Sequence, residues 1–253
     1  MKKSPSKTVA IIQARMTSNR LPGKVLKPLA GEPMISRVLQ RIEHICGVDD
    51  ICLAVPEGDI HDPIVEVASK KVGIFRGDEY DVLDRTLKAG YMMKADTVMR
   101  ITSDCPIIDP KVSSLVLSAF SCSEVVYART APSTGYPHGF DTEVFTIEAL
   151  AAAHARALSS NDREHVTPFL RRHPDQFPTL ELDFRPDRRH WRLTVDTKDD
   201  YDLVSIIYDR LYSADPLFGF DSLEKLFAVE PELLDINRGK VEKSVGSVKG
   251  ISP

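Results

Sequence analysis

The sequence has 253 residues, 42% of them hydrophobic and 28% charged, with a formal net charge of −4, which is the balance of a soluble globular chain with room for one large domain. No apolar run approaches the roughly 20 residues that span a bilayer, and the net acidity argues against bulk nucleic-acid binding. The four cysteines (Cys46, Cys52, Cys105 and Cys122) show neither Cys-x-x-Cys spacing nor the density of a disulfide framework, so they read as reduced thiols of a cytoplasmic protein. Three are expected in the core and Cys105 beside the polar cluster described below. The apolar stretch after the basic N-terminus ends at Ile12, too short for the core of a signal peptide.

Taken in chain order, residues 9–12 form a short β-branched run that reads as a buried parallel strand. From Pro33 the pattern turns helical, with Ile35, Val38, Leu39, Ile42 and Ile45 on one face. A second strand over 51–55 ends at Pro56. A helix near 60–71 then precedes a strand at 73–75, and a helix at about 80–94 leads into a strand at 97–101. This alternation predicts right-handed crossovers and a doubly wound, mostly parallel twisted α/β sheet. After about 110 the rhythm changes. A helix over 110–120, a strand over 124–128, a Pro/Gly/Ser/Thr-rich loop over 130–139 and a strand near 140–146 come first. Helices at 147–158 and near 162–172, strands near 179–184 and 191–195, and a closing helix at 198–213 follow. We read this part as a mixed-sheet extension of a single domain spanning 1–240, and the polar stretch 241–253 as a disordered tail.

Three segments carry chemistry. Residues 1–31 hold seven lysines and arginines and no acid, and Arg15, Arg20 and Lys24 fall directly after the first strand. Ligands bind at the carboxyl ends of strands in open α/β sheets, so the polar loop from Gln13 to Lys24 is placed to neutralise an anion, with Gly23 permitting the turn that aims Lys24 back. The loop matches neither the Walker A nor the dinucleotide pattern. The second segment is Arg100-Ile101-Thr102-Ser103-Asp104-Cys105-Pro106, in which Asp104 follows a central strand and suits a hard cation such as Mg²⁺. Asp109, ahead of Pro110, reads as a helix N-cap. In the third, Leu193-Thr194-Val195-Asp196-Thr197, Asp196 again ends a strand, and Asp199 and Asp200 read as first-turn acids favoured by the helix dipole. Asp104 and Asp196 directed at one anion-binding loop would form a metal clamp suited to phosphoryl or nucleotidyl transfer.

These segments resemble a known family. The run from Ala14-Arg15 through Leu21-Pro22-Gly23-Lys24 to Gly31-Glu32-Pro33-Met34-Ile35 is similar to the opening of CMP-Kdo synthetases and acylneuraminate cytidylyltransferases. Arg76-Gly77-Asp78, Asp81-Val82-Leu83-Asp84-Arg85, Gly139-Phe140-Asp141-Thr142-Glu143 and Asp162-Arg163-Glu164-His165-Val166-Thr167-Pro168 resemble the spore-coat polysaccharide biosynthesis protein F group of that superfamily. The resemblance implies a Rossmann-like nucleotide-diphospho-sugar transferase fold and transfer of CMP from CTP to a sugar acid, Kdo-like or nonulosonic, with Mg²⁺ and release of pyrophosphate. It assigns Arg15 and Lys24 to the triphosphate, Ala14, Ser18, Arg20, Thr102 and Ser103 to the nucleotide, and Arg76 and Asp84 to the nucleoside. It assigns Asp104 and Asp196 to the metal and His138, Asp141 and Glu143 to the acceptor. It also implies a homodimer formed through the 125–190 extension. A glycosyltransferase would use a related fold but needs an Asp-x-Asp metal motif, and none stands at a strand end. A non-catalytic nucleotide-binding protein would be expected to lose Asp104, Asp196 or Lys24.

Overall fold

The computed structural model describes residues 6–68 and 72–238. The tail expected over 241–253 lies outside the described residues. In chain order the elements begin with β1 (Thr8–Gln13), a two-residue hairpin of β2 (Pro28–Leu29) and β3 (Glu32–Pro33), and α1 (Met34–Ile42). Then come β4 (Asp50–Pro56), α2 (Asp62–Val67), β5 (Gly73–Gly77), α3 (Val82–Met92), β6 (Thr97–Thr102) and α4 (Pro110–Ser121). The second half holds β7 (Tyr127–Arg129), β8 (Glu143–Thr146), α5 (Ile147–Arg156), α6 (Ser160–His165), α7 (Pro168–Arg172), β9 (Thr179–Glu181), α8 (Lys198–Leu211) and α9 (Phe220–Val229).

Seven strands form one sheet in the order β5-β4-β1-β6-β8-β7-β9. β5, β4, β1 and β6 are parallel, β8 runs antiparallel to both β6 and β7, and β9 is parallel to β7. One reversed strand thus joins the parallel half to the extension, the mixed arrangement expected from the change of rhythm after 110. Both faces of the sheet are covered. Ala10 and Ile12 of β1 point into a core with α1, α4, α8 and α9, while Val9 and Ile11 point into a second core with α3, α5 and α7. Strands buried on both faces lose the polar alternation of a half-exposed sheet, which is why the first run reads as continuously apolar.

Several details differ from expectation. The segment 162–172 is two short helices, broken where Val166 takes a positive φ of 70° before Pro168. Residues 191–195 do not join the sheet. Their backbone is spent on loops: Leu193 N–H donates to His138 O at 2.7 Å, Val195 N–H to Asp104 O at 2.8 Å, and His138 N–H to Trp191 O at 2.9 Å. Helix α9 follows beyond the closing helix expected at 198–213. Two cysteines expected in the core, Cys46 and Cys122, are exposed, whereas Cys52 and Cys105 are buried. Asp200 is more than a dipole-favoured acid, being fully buried and completing a capping box with Thr197 at the start of α8.

Asp109 caps α4 by accepting from Lys111 N–H at 2.8 Å and Val112 N–H at 3.4 Å, and its other oxygen accepts from Phe220 N–H at 3.0 Å. It therefore ties the start of α4 to the start of α9, against a glycine (Gly219) whose added Cβ would lie 2.4 Å from that carboxylate. Replacing Asp109 by Ala removes a cap and strands buried donors. We expect Asp109→Ala to lower unfolding free energy in urea by about 2 kcal/mol while leaving nucleotide affinity intact.

Candidate active site

A cleft of about 610 Å³ opens at the carboxyl edge of β1 and β6, within the size range of small-molecule sites. Its floor is set by the sheet register, in which Gln13 at the end of β1 stands beside Thr102 at the end of β6. The chain leaving β1 forms one wall. Ala14 N–H still donates to Ala54 O at 3.3 Å, and the loop then turns back so that Gly23 N–H reaches Met16 O at 2.9 Å. Gly23 takes a left-handed φ of 67°, a region open to glycine at little cost, and Lys24 follows at the start of a 3₁₀ turn.

The Lys24 ammonium enters the space between the other two segments. It donates to Val195 O at 2.6 Å, to Asp196 Oδ1 at 3.0 Å and to Asp104 Oδ2 at 3.3 Å, with the side chain 10% exposed. Burial by itself lowers the pKa of this ammonium, but the two carboxylates outweigh burial and raise it. Desolvation likewise pushes the Asp104 carboxyl up, and the Lys24 charge, with hydrogen bonds from Thr102 and Lys24, brings it down to about 2. The backbone locks the same junction, because Asp104 O accepts from Val195 N–H and from Thr194 Oγ1 at 3.1 Å.

Asp196 gathers three cations. Besides Lys24 it accepts from Arg20 at 2.9 Å and Arg192 at 2.8 Å. Arg192 also reaches Asp200 at 3.0 Å, and Asn237 braces Asp200 at 2.9 Å. Arg20 is the exposed member, at 58%, so it can leave Asp196 for a bound anion without opening the core. Arg15, Ser18, Thr102 and Ser103 line the same end of the cleft. Arg15 lies 3.8 Å from both Glu79 and Glu164, at the long limit of an ion pair and within reach of a ligand.

Two residues expected at the nucleoside lie elsewhere. Arg76 pairs with Asp62 and Asp84 with His154 and Lys88, and neither lines the cleft. Of the arginines in that segment, Arg85 lines the cleft. It is 2% exposed, its Nη1 donates to the carbonyls of Asp78 and Glu79, and its Nε has no partner among the described residues. Desolvation, reinforced by the neighbouring Arg15, lowers its guanidinium pKa to about 10. The signal lay in the same Asp81–Arg85 motif, one position on from Asp84. Asp81 itself caps α3 by accepting from Asp84 N–H at 2.9 Å. His61, which belongs to none of the sequence motifs, also supports the site. This 1%-exposed ring accepts from Met16 N–H at 3.2 Å and anchors the loop from β4. Desolvation lowers its pKa against the opposing charge of Glu79, with Arg85, Arg76 and Arg15 adding to the lowering, in keeping with a neutral acceptor.

The far end of the cleft is built from β7, β8, α6 and α7. His138, Asp141 and Glu143 all line it. His138 is set by the Trp191–Leu193 backbone, and Asp141 Oδ2 accepts from Gly139 N–H at 2.8 Å and lies 3.6 Å from His138 Nδ1. Gly139 has a φ of 111°, and an added Cβ would lie 2.7 Å from the Leu193 backbone, so only glycine admits this crossing. Desolvation raises the Asp141 pKa, against His138 and Gly139 N–H. Glu143 differs from expectation. Its carboxylate is committed to Arg100, to the Tyr127 hydroxyl and to Thr167 Oγ1 at 2.6 Å, which leaves it organising the pocket rather than free for an acceptor hydroxyl.

Asp104 and Asp196 converge on one cation, the Lys24 ammonium. No group of three or more His, Cys, Asp or Glu with metal-binding geometry occurs among the described residues. Two carboxylates beside an anion loop fit Mg²⁺, which takes one or two protein carboxylates and completes its shell with water and substrate phosphates. They do not fit an all-protein cage. Among the described residues no helix is long and apolar enough to cross a membrane.

A cytidylyltransferase family model matches residues 9–237. The chain is 33% identical over 211 residues to the spore coat polysaccharide biosynthesis protein SpsF of Bacillus subtilis, covering 79% of this chain and 85% of that protein. It is 31% identical over 106 residues to a 3-deoxy-manno-octulosonate cytidylyltransferase of Escherichia coli, covering 42% of this chain and 43% of that enzyme. The solved structure of a cytidylyltransferase from Leptospira borgpetersenii superposes with a TM-score of 0.85 at 27% identity, covering 90% of this chain and 97% of the other. Members of the family typically use a divalent metal. The chain belongs to the cytidylyltransferase family and is a CTP-dependent nucleotidyltransferase.

Proposed function

We propose that the protein transfers CMP from CTP to a sugar acid, Kdo-like or nonulosonic, with release of pyrophosphate, in the synthesis of a surface polysaccharide. The observation that carries this reading is the Lys24 ammonium held between Asp104 and Asp196 at the mouth of a cationic loop. The name of the Bacillus subtilis relative supports the polysaccharide context, and the Escherichia coli relative supports a keto-acid acceptor. We place the enzyme in the cytoplasm as a homodimer formed through residues 125–190, where Leu158 presents an apolar side chain 87% exposed.

In this reading the triphosphate lies along residues 14–24. Arg15, Arg20 and Lys24 donate to its oxygens, Ser18 and the backbone from Ala14 onward line it, and Thr102 and Ser103 border the nucleotide. Arg85 and Val82, rather than Arg76 and Asp84, form the wall beside the nucleoside. An acceptor hydroxyl positioned near His138 and Asp141 attacks the α-phosphorus. Its O–H bond breaks with the proton passing to solvent water, a new O–P bond forms, and the bond from the α-phosphorus to the bridging oxygen breaks with its electron pair leaving on pyrophosphate. The protein contributes position and charge rather than a covalent intermediate. Lys24, charged throughout the physiological range, and Arg15 neutralise the departing pyrophosphate. Asp104 and Asp196 would hold Mg²⁺, which when bound supplies polarisation of the α-phosphate and acidification of the attacking hydroxyl.

Incubation with each of the four nucleoside triphosphates, Mg²⁺ and a panel of 2-keto sugar acids tests the reading through pyrophosphate release. Release is expected with CTP and at least one acid, and about 100-fold slower or worse in Asp104→Ala and in Asp196→Ala. Consumption of a nucleotide-sugar without pyrophosphate release from any triphosphate would instead establish a glycosyltransferase. A second expectation follows from the Asp104 pKa of about 2 against its ordinary 3.8. A depressed carboxyl contributes stability above its unfolded pKa and loses it as pH falls through the folded value. Without divalent metal, Lys24→Met is expected to cost about 3 kcal/mol in urea unfolding near neutral pH. That gap should narrow as pH falls below about 4 and approach closure near 2. A gap independent of pH across this range would contradict the pairing.

A further inference from the structure

The loop after β1 presents only some of its residues to the cleft. Arg15, Ser18, Asn19, Arg20 and Lys24 line it, whereas Met16 and Thr17 do not. Those two are held by partners that also stand outside the cleft. Met16 N–H donates to His61 Nδ1 at 3.2 Å, and the Thr17 hydroxyl donates to Glu79. The Met16 carbonyl in turn accepts from Gly23 N–H at 2.9 Å. Both backbone polar groups of Met16 are therefore engaged, one at His61 and one at the turn that carries Lys24.

The backbone donors of this loop are largely spent inside the protein. Ala14 N–H goes to Ala54 O, Met16 N–H to His61, Gly23 N–H to Met16 O and Lys24 N–H to Leu21 O. They do not form the row of converging N–H groups with which a glycine-rich loop cradles phosphate. An anion here is gripped mainly by side chains, and such a grip is only as exact as the backbone that carries it.

His61 is built to hold that backbone. It is 1% exposed and ends a single 3₁₀ turn, Asp59–His61, after β4. Arg76 braces the turn by pairing with Asp62 and donating to Gly58 O at 3.4 Å. Because Met16 N–H can only donate, Nδ1 is the acceptor and the ring proton sits on Nε2. The charged groups that act on the ring are Arg15, Arg76, Arg85 and Glu79. Three cations against one anion, together with burial, keep it uncharged. A leucine would fill similar space but leave the Met16 N–H without its acceptor.

We propose that His61 is a positioning residue for the triphosphate loop: its Nδ1 accepts from Met16 N–H and so sets residues 15–18 where Arg15 and Ser18 meet the triphosphate. The proposal rests on the cytidylyltransferase reading of the cleft. It gives a part in nucleotide binding to a side chain that touches no ligand.

The test uses the full chain with Mg²⁺ and isothermal titration calorimetry. An α,β-methylene analogue of CTP, which prevents turnover, and inorganic tripolyphosphate are titrated into the wild type, His61→Asn, His61→Gln and His61→Ala. The asparagine oxygen falls close to the place of Nδ1, whereas the glutamine oxygen falls nearer that of Nε2. His61→Ala and His61→Gln are expected to bind the CTP analogue about tenfold more weakly, and His61→Asn to stay within about threefold of wild type. Asparagine and glutamine both lose the packing of the ring, so a purely structural role would weaken the two alike. That comparison stands even where urea unfolding shows the alanine variant to be unfolded. Equal affinities in the asparagine and glutamine variants, or wild-type affinity in a folded alanine variant, overturns the assignment. A wild type that binds tripolyphosphate but not the CTP analogue defeats the nucleotide reading, and His61 is then judged by the same comparison on tripolyphosphate. Binding of neither probe defeats both.

Discussion

The ammonium of Lys24 is the point on which the rest of the site depends. A single buried cation joins three segments far apart in sequence: the loop after β1, the turn after β6 and the extended stretch before α8. Neither carboxylate would be stable so close to the other without a cation between them, since like charges at this range disfavour ionisation. The backbone bonds from Val195 and Thr194 to Asp104 O reinforce the same junction. An arrangement that needs a cation between two acids, and places three further arginines around it, is prepared for a more highly charged guest.

What surrounds this junction explains its rigidity. From Lys24 the contacts continue through Asp196, Arg192 and Asp200 to Asn237, which fastens the last described turn to the site. The apolar layers play the complementary part. α1, α4, α8 and α9 pack on one face of the sheet and α3, α5 and α7 on the other, so the strand ends that carry Gln13 and Thr102 cannot drift relative to each other. α1 adds polar ties through Arg41, which is 1% exposed and donates to Phe218 O at 2.9 Å and Ile108 O at 3.2 Å. Buried donors satisfied by carbonyls fix geometry because leaving them unpaired is costly.

Much of this was legible from the residues. β-branched runs alternating with helical periodicity implied the parallel half, and polar loops placed after strands implied the edge where ligands bind. Asp109 before Pro110 announced its cap. The sequence was silent where tertiary pairing decides. Arg192 and Arg100 look like outward-facing charges in strand-like runs, and only the fold brings Asp196 and Glu143 against them. Arg85 sits one residue beyond Asp84, and nothing local says which of the two faces inward. The 191–195 run has strand composition yet gives its hydrogen bonds to loops, a tertiary override of β-propensity. Helix α9 depends on Asp109, more than a hundred residues away, for its first turn.

The cleft therefore gathers Arg20 and Lys24 about Asp104 and Asp196, with Arg15 lining the same wall, an order that suits a polyanionic guest and the metal it brings. The most direct measurement is a crystal structure of the protein with Mg²⁺ and the non-hydrolysable CTP analogue. The triphosphate should lie along residues 14–24 in contact with Arg15 and Lys24, with the metal bound by Asp104 and Asp196 and Arg20 turned from Asp196 to a phosphate oxygen. A nucleotide bound elsewhere, or a metal that touches neither carboxylate, would contradict the central role given to this junction.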